Sequence, residues 1–309
     1  MIIALHDAER DRMPGKSFPN FALMKIAAYH KAQGDTVEWW NALFNGTYDK
    51  VYSSKVFDFT PENMYLPPDT IKGGTGYGLY GELPPEIDSQ FPDYSIYPDC
   101  DYAIGYITRG CPNRCRWCVV PEKEGDIRPY ADWRDIVRRD TNKLVLMDNN
   151  ILACEYGIAQ LMELAQSNYK IDLNQGMDAR LVTPHIADVI ASLKWIKYIR
   201  FSCDQIPQIE AIEKAAALLA DRGVKPSRLF VYVLITKDLA NADYRVQRLK
   251  NLGVSIYAQA ERNPANGIMP NAAQREFAHR YIYGRSYKKE TWPEYCQRKN
   301  LNYERSAAP

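Results

Sequence analysis

No cysteine occurs before Cys100, and no apolar stretch approaches the roughly 18 residues that a membrane-crossing helix requires. Neither sign of charge is in excess, with 39 Lys and Arg against 38 Asp and Glu and a formal net charge of +1 over 309 residues. Each absence removes a class. A secreted disulfide framework spreads an even set of cysteines along a short chain, whereas here the seven are an odd number and none lies before residue 100. The apolar opening MIIAL is followed at once by HDAERD and is too short for a signal peptide, so the expected location is cytoplasmic, with no membrane partner. No global field steers the chain toward nucleic acid or anionic lipid, so such a partner would need a local patch. With 46% hydrophobic and 25% charged residues, no internal repeat and no low-complexity tract, disordered and fibrous classes are excluded. The length fits about two domains or one large α/β barrel.

What is present begins with a short apolar strand at Ile2–Leu5 and a helix in FPNFALMKIAAYHKAQG, with Ala22, Leu23, Ile26 and Tyr29 on one face. TVEWW and DKVYSSKVF follow as strands, a β-α-β-β order suited to a small nucleotide-fold-like domain. The Gly- and Pro-punctuated IKGGTGYGLYGELPPEIDSQFPDY reads as a surface loop, its Gly-rich start being more simply a structural turn than a cofactor loop, and leads to a boundary near Ser95.

From Tyr102 the rhythm becomes a steady alternation. Strands are predicted at YAIGYIT, KLVLM, KIDL, KYIRFS, RLFVYVLI and VSIYAQA. Helices are predicted near ADWRDIVRRD, LACEYGIAQLMELAQS, PHIADVIASL, QIEAIEKAAALLADRG and NADYRVQRLKNLG. The strands are mostly not strictly alternating, which suits burial on both faces. Six such units with short connections imply right-handed crossovers and a parallel sheet curled into a partial (β/α)6 barrel. The organisation predicted is a Rossmann-like domain over 1–97, a barrel over 98–262 and a helical basic and aromatic tail over 263–309.

Directly after the first barrel strand, GYITRGCPNRCRWCVVP places Cys111, Cys115 and Cys118 at C-x3-C-x2-C spacing. That puts three thiols on a loop at the strand C-terminal end, the rim where α/β-barrel chemistry gathers. Three thiolates on one loop can hold three irons of a 4Fe-4S cube and leave the fourth open. A structural zinc site is the competing reading, and it usually closes with four ligands. No fourth Cys or His lies nearby in sequence, Cys100 being across the predicted strand.

With Trp117 before the third cysteine, this loop resembles the radical S-adenosylmethionine (SAM) superfamily, whose signature is C-x3-C-x-aromatic-C. The resemblance implies a 4Fe-4S cluster on Cys111, Cys115 and Cys118 whose open iron chelates SAM, with Trp117 beside the adenine. It implies a grip on the SAM amino group after the second strand, where Asp148, Asn149 and Asn150 stand; DNN is equally a turn and helix cap. After the third strand, Arg180 suits the SAM carboxylate, and Gln175 or Asp178 the ribose hydroxyls; Asp178 and Arg180 could instead pair with each other. Asp204 after the fourth strand is a candidate for ribose or substrate, and Cys203 reads as incidental.

The longer phrase TRGCPNRCRWCVVPEKEGDIRPY resembles the cobalamin-binding and methylthiotransferase groups of that superfamily, in which a Rossmann-like domain precedes the barrel. Methylthiotransferases carry three further cysteines in that domain, and here there are none. The Asp-x-His-x-x-Gly cobalamin pattern is also missing, so cobalamin is not expected. In the tail, Arg275, Arg280, Arg285, Lys288 and Lys289 interleave with Tyr281, Tyr283, Tyr287 and Trp292. Such a pattern suits nucleic acid, although packing of a terminal helix is the favoured reading. The expected activity is reductive cleavage of SAM and hydrogen abstraction from an unidentified substrate, with an electron donor such as flavodoxin or ferredoxin. A cobalamin-dependent radical methyltransferase and a non-enzymatic metal-stabilised binding module are the alternatives.

Overall fold

The computed structural model describes residues 1–13, 18–263 and 267–301. The predicted tail over 263–309 therefore lies partly outside the described residues. The chain divides into two compact units, Met1–Ile104 with Glu122–Glu124, and Gly105–Pro121 with Gly125–Pro309.

The first unit runs β1 (Ile2–Asp7), α1 (Ala8–Arg12), α2 (Phe21–Ala32), β2 (Thr36–Trp39), β3 (Lys50–Ser54), β4 (Ile71–Gly73) and α3 (Pro85–Asp88). Its sheet has the order β2-β1-β3-β4, with every pair parallel. β1 is central and buried from Ile3 onward, as a near-continuous apolar run covered on both faces should be. The Asn20 side chain accepts from Leu23 N at 3.1 Å and caps α2, which lays Leu23, Ile26 and Ala27 against Ile3, Leu5 and Ile87. The buried face of α2 also takes in two polar residues that its apolar periodicity does not predict. Lys25 is buried on the Asp88 carboxylate at 2.9 Å, and His30 bridges Asp35 at 2.7 Å and the Tyr52 hydroxyl at 3.0 Å. The IKGG segment, expected as loop, starts as the edge strand β4 because the main chain of Tyr52–Ser54 pairs with Ile71–Gly73.

The chain continues through β5 (Ala103–Gly105), β6 (Thr108–Arg109), α4 (Val120–Lys123), β7 (Arg128–Pro129), β8 (Lys143–Leu146), α5 (Glu155–Ala165), β9 (Lys170–Leu173), α6 (Pro184–Ser192), β10 (Ile199–Ser202), α7 (Pro207–Ala220), β11 (Leu229–Ile235), α8 (Leu239–Asn251), β12 (Ser255–Ala260), α9 (Ala272–Glu276) and α10 (Trp292–Arg298). The strands form two three-stranded sheets, β5-β8-β9 and β10-β11-β12, plus the antiparallel ribbon β6-β7. β8 with β9, β10 with β11 and β11 with β12 are parallel. Between β9 and β10 the ladder thins to isolated parallel bridges, Ile171 to Trp195 and Met177 to Phe201. The fold is thus mixed α/β with parallel sheets.

Three local expectations are corrected. The strand predicted over YAIGYIT is broken after Gly105, because Ile107 N turns to donate to the Asp148 carboxylate at 3.1 Å. The helix predicted over ADWRDIVRRD shrinks to a single 3₁₀ turn, Trp133–Asp135. There, Asp132 caps the turn by accepting from Arg134 N at 2.9 Å, Trp133 N donates to Gln160 Oε1 of α5 at 2.8 Å, and Ile136 N closes the turn on Trp133 O at 3.2 Å. Lastly, β11 alternates strictly: Leu229, Val231, Val233 and Ile235 are buried, while Phe230, Tyr232 and Leu234 face a partly open side. Among the described residues no helix is long and apolar enough to cross a membrane.

Candidate functional site

The cysteine loop leaves β6, whose ribbon partner β7 returns the chain on its far side. Gly110 makes the turn at φ +83°, and a Cβ there would stand 2.2 Å from Asp126 O, so both backbone conformation and space demand glycine just before Cys111. Cys111 N donates to Gly125 O at 3.1 Å and Cys118 N to Cys115 O at 3.0 Å, which holds the base of the loop and tightens its end. All seven cysteines stand as thiols; Cys111 and Cys115 are half-buried and Cys118 is exposed.

The three thiols share one electrostatic environment. Burial pushes the Cys115 thiol up, the negative fields of Cys118, Asp204 and Cys111 add to it, and the Arg180 guanidinium opposes them. Among the described residues, however, no three His, Cys, Asp or Glu side chains converge in metal-holding geometry. The donor set therefore matches a three-cysteine cluster site in type and number, and ligation requires the side chains to turn toward a common centre.

Three further segments reach this loop or the strand before it. After β8, the buried Asn150 directs Nδ2 at Cys111 Sγ from 3.8 Å, while its Oδ1 is fully buried without a hydrogen-bond partner. An orphaned acceptor beside a candidate cluster ligand is the kind of atom that a ligand amino group would satisfy. Asn149 beside it is half-buried.

Asp148 does something different. Its carboxylate is saturated by Ile107 N, Thr108 N and Thr108 Oγ1, the last two at 2.5 and 2.7 Å. Burial raises its pKa to about 6 against the lowering effect of those same bonds. It braces the strand entering the cysteine loop and points at main chain.

After β9, Asp178 receives Arg180 Nε at 2.9 Å and Nη2 at 2.6 Å, and also Asn113 Nδ2 of the cysteine loop at 3.2 Å. Burial works against the Asp178 charge, yet the Arg180 bonds outweigh it and hold the carboxyl below its ordinary range. The pairing that competed with a SAM-carboxylate role for Arg180 is thus made along its Nε–Nη2 edge, leaving half the side chain exposed. Gln175 is exposed on the same connection.

After β10, burial raises the Asp204 pKa, and the Trp117 side chain hydrogen-bonds to this carboxylate. Leu234 N donates to it as well, at 3.2 Å. The aromatic residue of the motif is consequently anchored on the β10 rim. Cys203 is buried, its thiol pushed up to about 12 by desolvation, as befits an inert position.

One residue of this rim is missed by the sequence reasoning. Arg245 of α8 is fully buried and donates from Nη1 to Cys203 O at 2.5 Å, from Nη2 to Leu234 O at 2.8 Å and from Nε to Asn241 Oδ1 at 2.9 Å. Its signal was in NADYRVQRLKNLG: an arginine on the same helical face as Ala242, Val246 and Leu249. It ties the C-terminal ends of β10 and β11 together and sets a buried positive charge near Asp204.

No family model matches the chain. It is 37% identical over 76 residues to the ribosomal protein uS12 methylthiotransferase RimO of Bartonella tribocorum (strain CIP 105476 / IBS 506), a match covering 23% of this chain. The match spans 14% of the length of that relative.

Proposed function

We propose that the chain is a radical SAM enzyme, built on a partial (β/α)6 barrel behind a Rossmann-like domain, that cleaves SAM reductively to start radical chemistry on an unidentified substrate. The observation that carries this reading is the gathering of polar rim residues from separate strand ends around one three-thiol loop. The similarity to a methylthiotransferase supports it, since the extended cysteine phrase resembles that group. Methylthio transfer itself is not carried over, because no cysteine precedes Cys100.

Cys111, Cys115 and Cys118 would hold the cluster. A 4Fe-4S cluster held there would supply the electron for reductive cleavage of SAM and so the means of starting radical chemistry on a substrate. The chain's own share is placement and exclusion of water. Asn150 offers its unpartnered Oδ1 to an ammonium, and Arg180 offers its remaining N–H groups to a carboxylate. Asp148, Asp178 and Asp204 position Thr108, Asn113 and Trp117 respectively, fixing the loop from three sides. Electrons come from an external donor of the flavodoxin or ferredoxin type.

The test is anaerobic reconstitution followed by iron and sulfide analysis, then reduction with SAM and assay for 5′-deoxyadenosine. About four irons per chain and release of the nucleoside are expected, both lost on replacing any of the three cysteines by Ala. A colourless protein holding stoichiometric zinc would instead establish the structural-module reading.

A further inference from the structure

The tail divides its aromatic residues into two sets. Tyr281, Trp292 and Tyr295 are buried against one another, Tyr281 donating to the Asp243 carboxylate at 2.6 Å, which is the packing that a terminal segment needs. Tyr283 stands apart. It is 40% exposed and lies 5.5 Å, centroid to centroid, from Tyr257 of β12, itself 41% exposed. His279 extends the row from the other side, 5.7 Å from Tyr283. Below Tyr257 the row continues along the open side of the sheet through Tyr232 at 5.7 Å and Phe230 at 6.0 Å. An aromatic ladder left half open to solvent is unusual for a core and normal for a stacking platform.

The charge beside it is one-sided. The described residues 271–301 carry seven Lys and Arg against three Glu, whereas residues 1–270 carry 31 Lys and Arg against 34 Asp and Glu. The wide-turn helix Phe277–Ile282 is followed by a turn through Gly284, where a Cβ would meet Arg280 O at 2.2 Å, and the next residue, Arg285, adopts the left-handed region at φ +62°. This compact reversal sets the exposed Arg285, Lys288 and Lys289 close along the chain to Tyr283, and among the described residues no carboxylate forms an ion pair with these three.

We propose that this face binds single-stranded nucleic acid, with bases stacking on Tyr257 and Tyr283 and phosphates meeting Arg285, Lys288 and Lys289. Exposed rings offer every base a π-face, and cations within a few residues of them serve the backbone, the pairing of features that single strands require. An acidic peptide would use the cations and leave the rings idle. Duplex contact in the grooves would call for a projecting helix or ribbon, whereas Phe230, Tyr232 and Tyr257 lie along the paired strands β11 and β12.

Anisotropy of fluorescein-labelled single-stranded RNA and DNA, titrated with the full-length chain across a salt series, tests the inference. Binding is read without SAM or reductant, so its outcome is separate from that of the proposed chemistry. Replacing Arg285, Lys288 and Lys289 together by Gln is expected to weaken binding at least about tenfold and to flatten the slope of log affinity on log salt by about 2. Tyr257→Ala is expected to weaken it about fivefold or more with the salt slope unchanged, and Tyr257→Phe to restore it. The charged positions are exposed, so their variant folds even where a ring deletion perturbs the sheet. The proposal is overturned if neither oligonucleotide binds saturably, if the triple variant binds as the wild type does, or if labelled polyglutamate binds as tightly with the same losses.

Discussion

The carboxylate of Asp148 accepts from both the backbone N–H and the hydroxyl of Thr108, at 2.5 and 2.7 Å, and so fastens the end of β8 to the strand that delivers Cys111. Its burial holds the pKa up at about 6. A raised native pKa means that the folded state binds the proton more tightly than the unfolded chain. The associated stability is therefore present below the unfolded value and is lost as pH rises through about 6. Two units correspond to about 3 kcal/mol. Asp148→Asn has no such titration, so its stability relative to wild type should shift in its favour by about that amount between roughly pH 4 and pH 7. Parallel denaturation profiles for the two proteins across this range would show that the carboxylate is relaxed differently.

Arg180 faces two ways, pairing with Asp178 while half its surface stays open. Arg180→Ala should weaken SAM binding about tenfold, the value of one charge-assisted hydrogen bond, while iron content stays at the wild-type level. Arg180→Lys should recover little, because a point charge cannot serve Asp178 and a ligand carboxylate together. Equilibrium dialysis with radiolabelled SAM distinguishes the cases; unchanged affinity confines Arg180 to its pairing with Asp178.

Much of this was legible from residue order. The alternation of short apolar runs and amphipathic stretches located β8 to β12 and the helices between them, because burial acts on each segment separately and leaves a local period. Contacts between distant segments leave no such trace. That Asp148 turns to Thr108, that Trp117 meets Asp204, and that Asn113 reaches Asp178 follow from how strand ends are brought together, and no spacing encodes them. The tie between the turn in ADWRDIVRRD and α5 is of the same kind, Trp133 N donating to Gln160, 27 residues away in sequence.

Trp117 tests one of those contacts directly. Trp117→Phe keeps an aromatic ring and removes the donor to Asp204, so the loop should loosen without losing its thiols. In the cluster-free protein, alkylation of Cys115 by iodoacetamide should accelerate, since that thiol is the half-buried one whose environment includes Asp204. An unchanged rate, followed by mass spectrometry of the modified peptide, would mean that the loop is held by Asn113 and the Gly125 bond alone.

Arg245 carries the largest single energetic prediction. Removing a fully buried guanidinium leaves Cys203 O and Leu234 O without their donors, and Arg245→Met should cost about 3 to 5 kcal/mol of stability. Arg245→Lys should rescue only part of it, as one ammonium cannot reach two strand ends and Asn241 in the same geometry. Urea denaturation reads both; a loss under about 1 kcal/mol for the methionine variant would show that apolar packing suffices there.

The strand ends of the first unit lead to the last prediction. In the order β2-β1-β3-β4 the connections reverse direction between β1 and β3, and at such a reversal open α/β sheets usually receive a ligand beyond the strand C-termini. Here the polar groups at that place are spent on one another. His6 Nδ1 and Ser53 Oγ share a bond at 2.8 Å, Ser53 Oγ and Tyr77 OH another at 2.7 Å, and His6 Nε2 lies 3.0 Å from Asp11. Asn20 donates to Ser54 Oγ at 2.7 Å, and Tyr97 OH to Asp7 at 2.6 Å. A network satisfied internally gains little from a ligand and loses much when one member is removed. Ser53→Ala should therefore destabilise the protein by about 1 to 3 kcal/mol, by stranding the buried His6 nitrogen and the Tyr77 hydroxyl. For the same reason, titration with hydroxocobalamin should show no saturable binding and no corrinoid retained on gel filtration. Tight stoichiometric retention would mean that these bonds open for a cofactor, and would move radical methyl transfer ahead of the function proposed above.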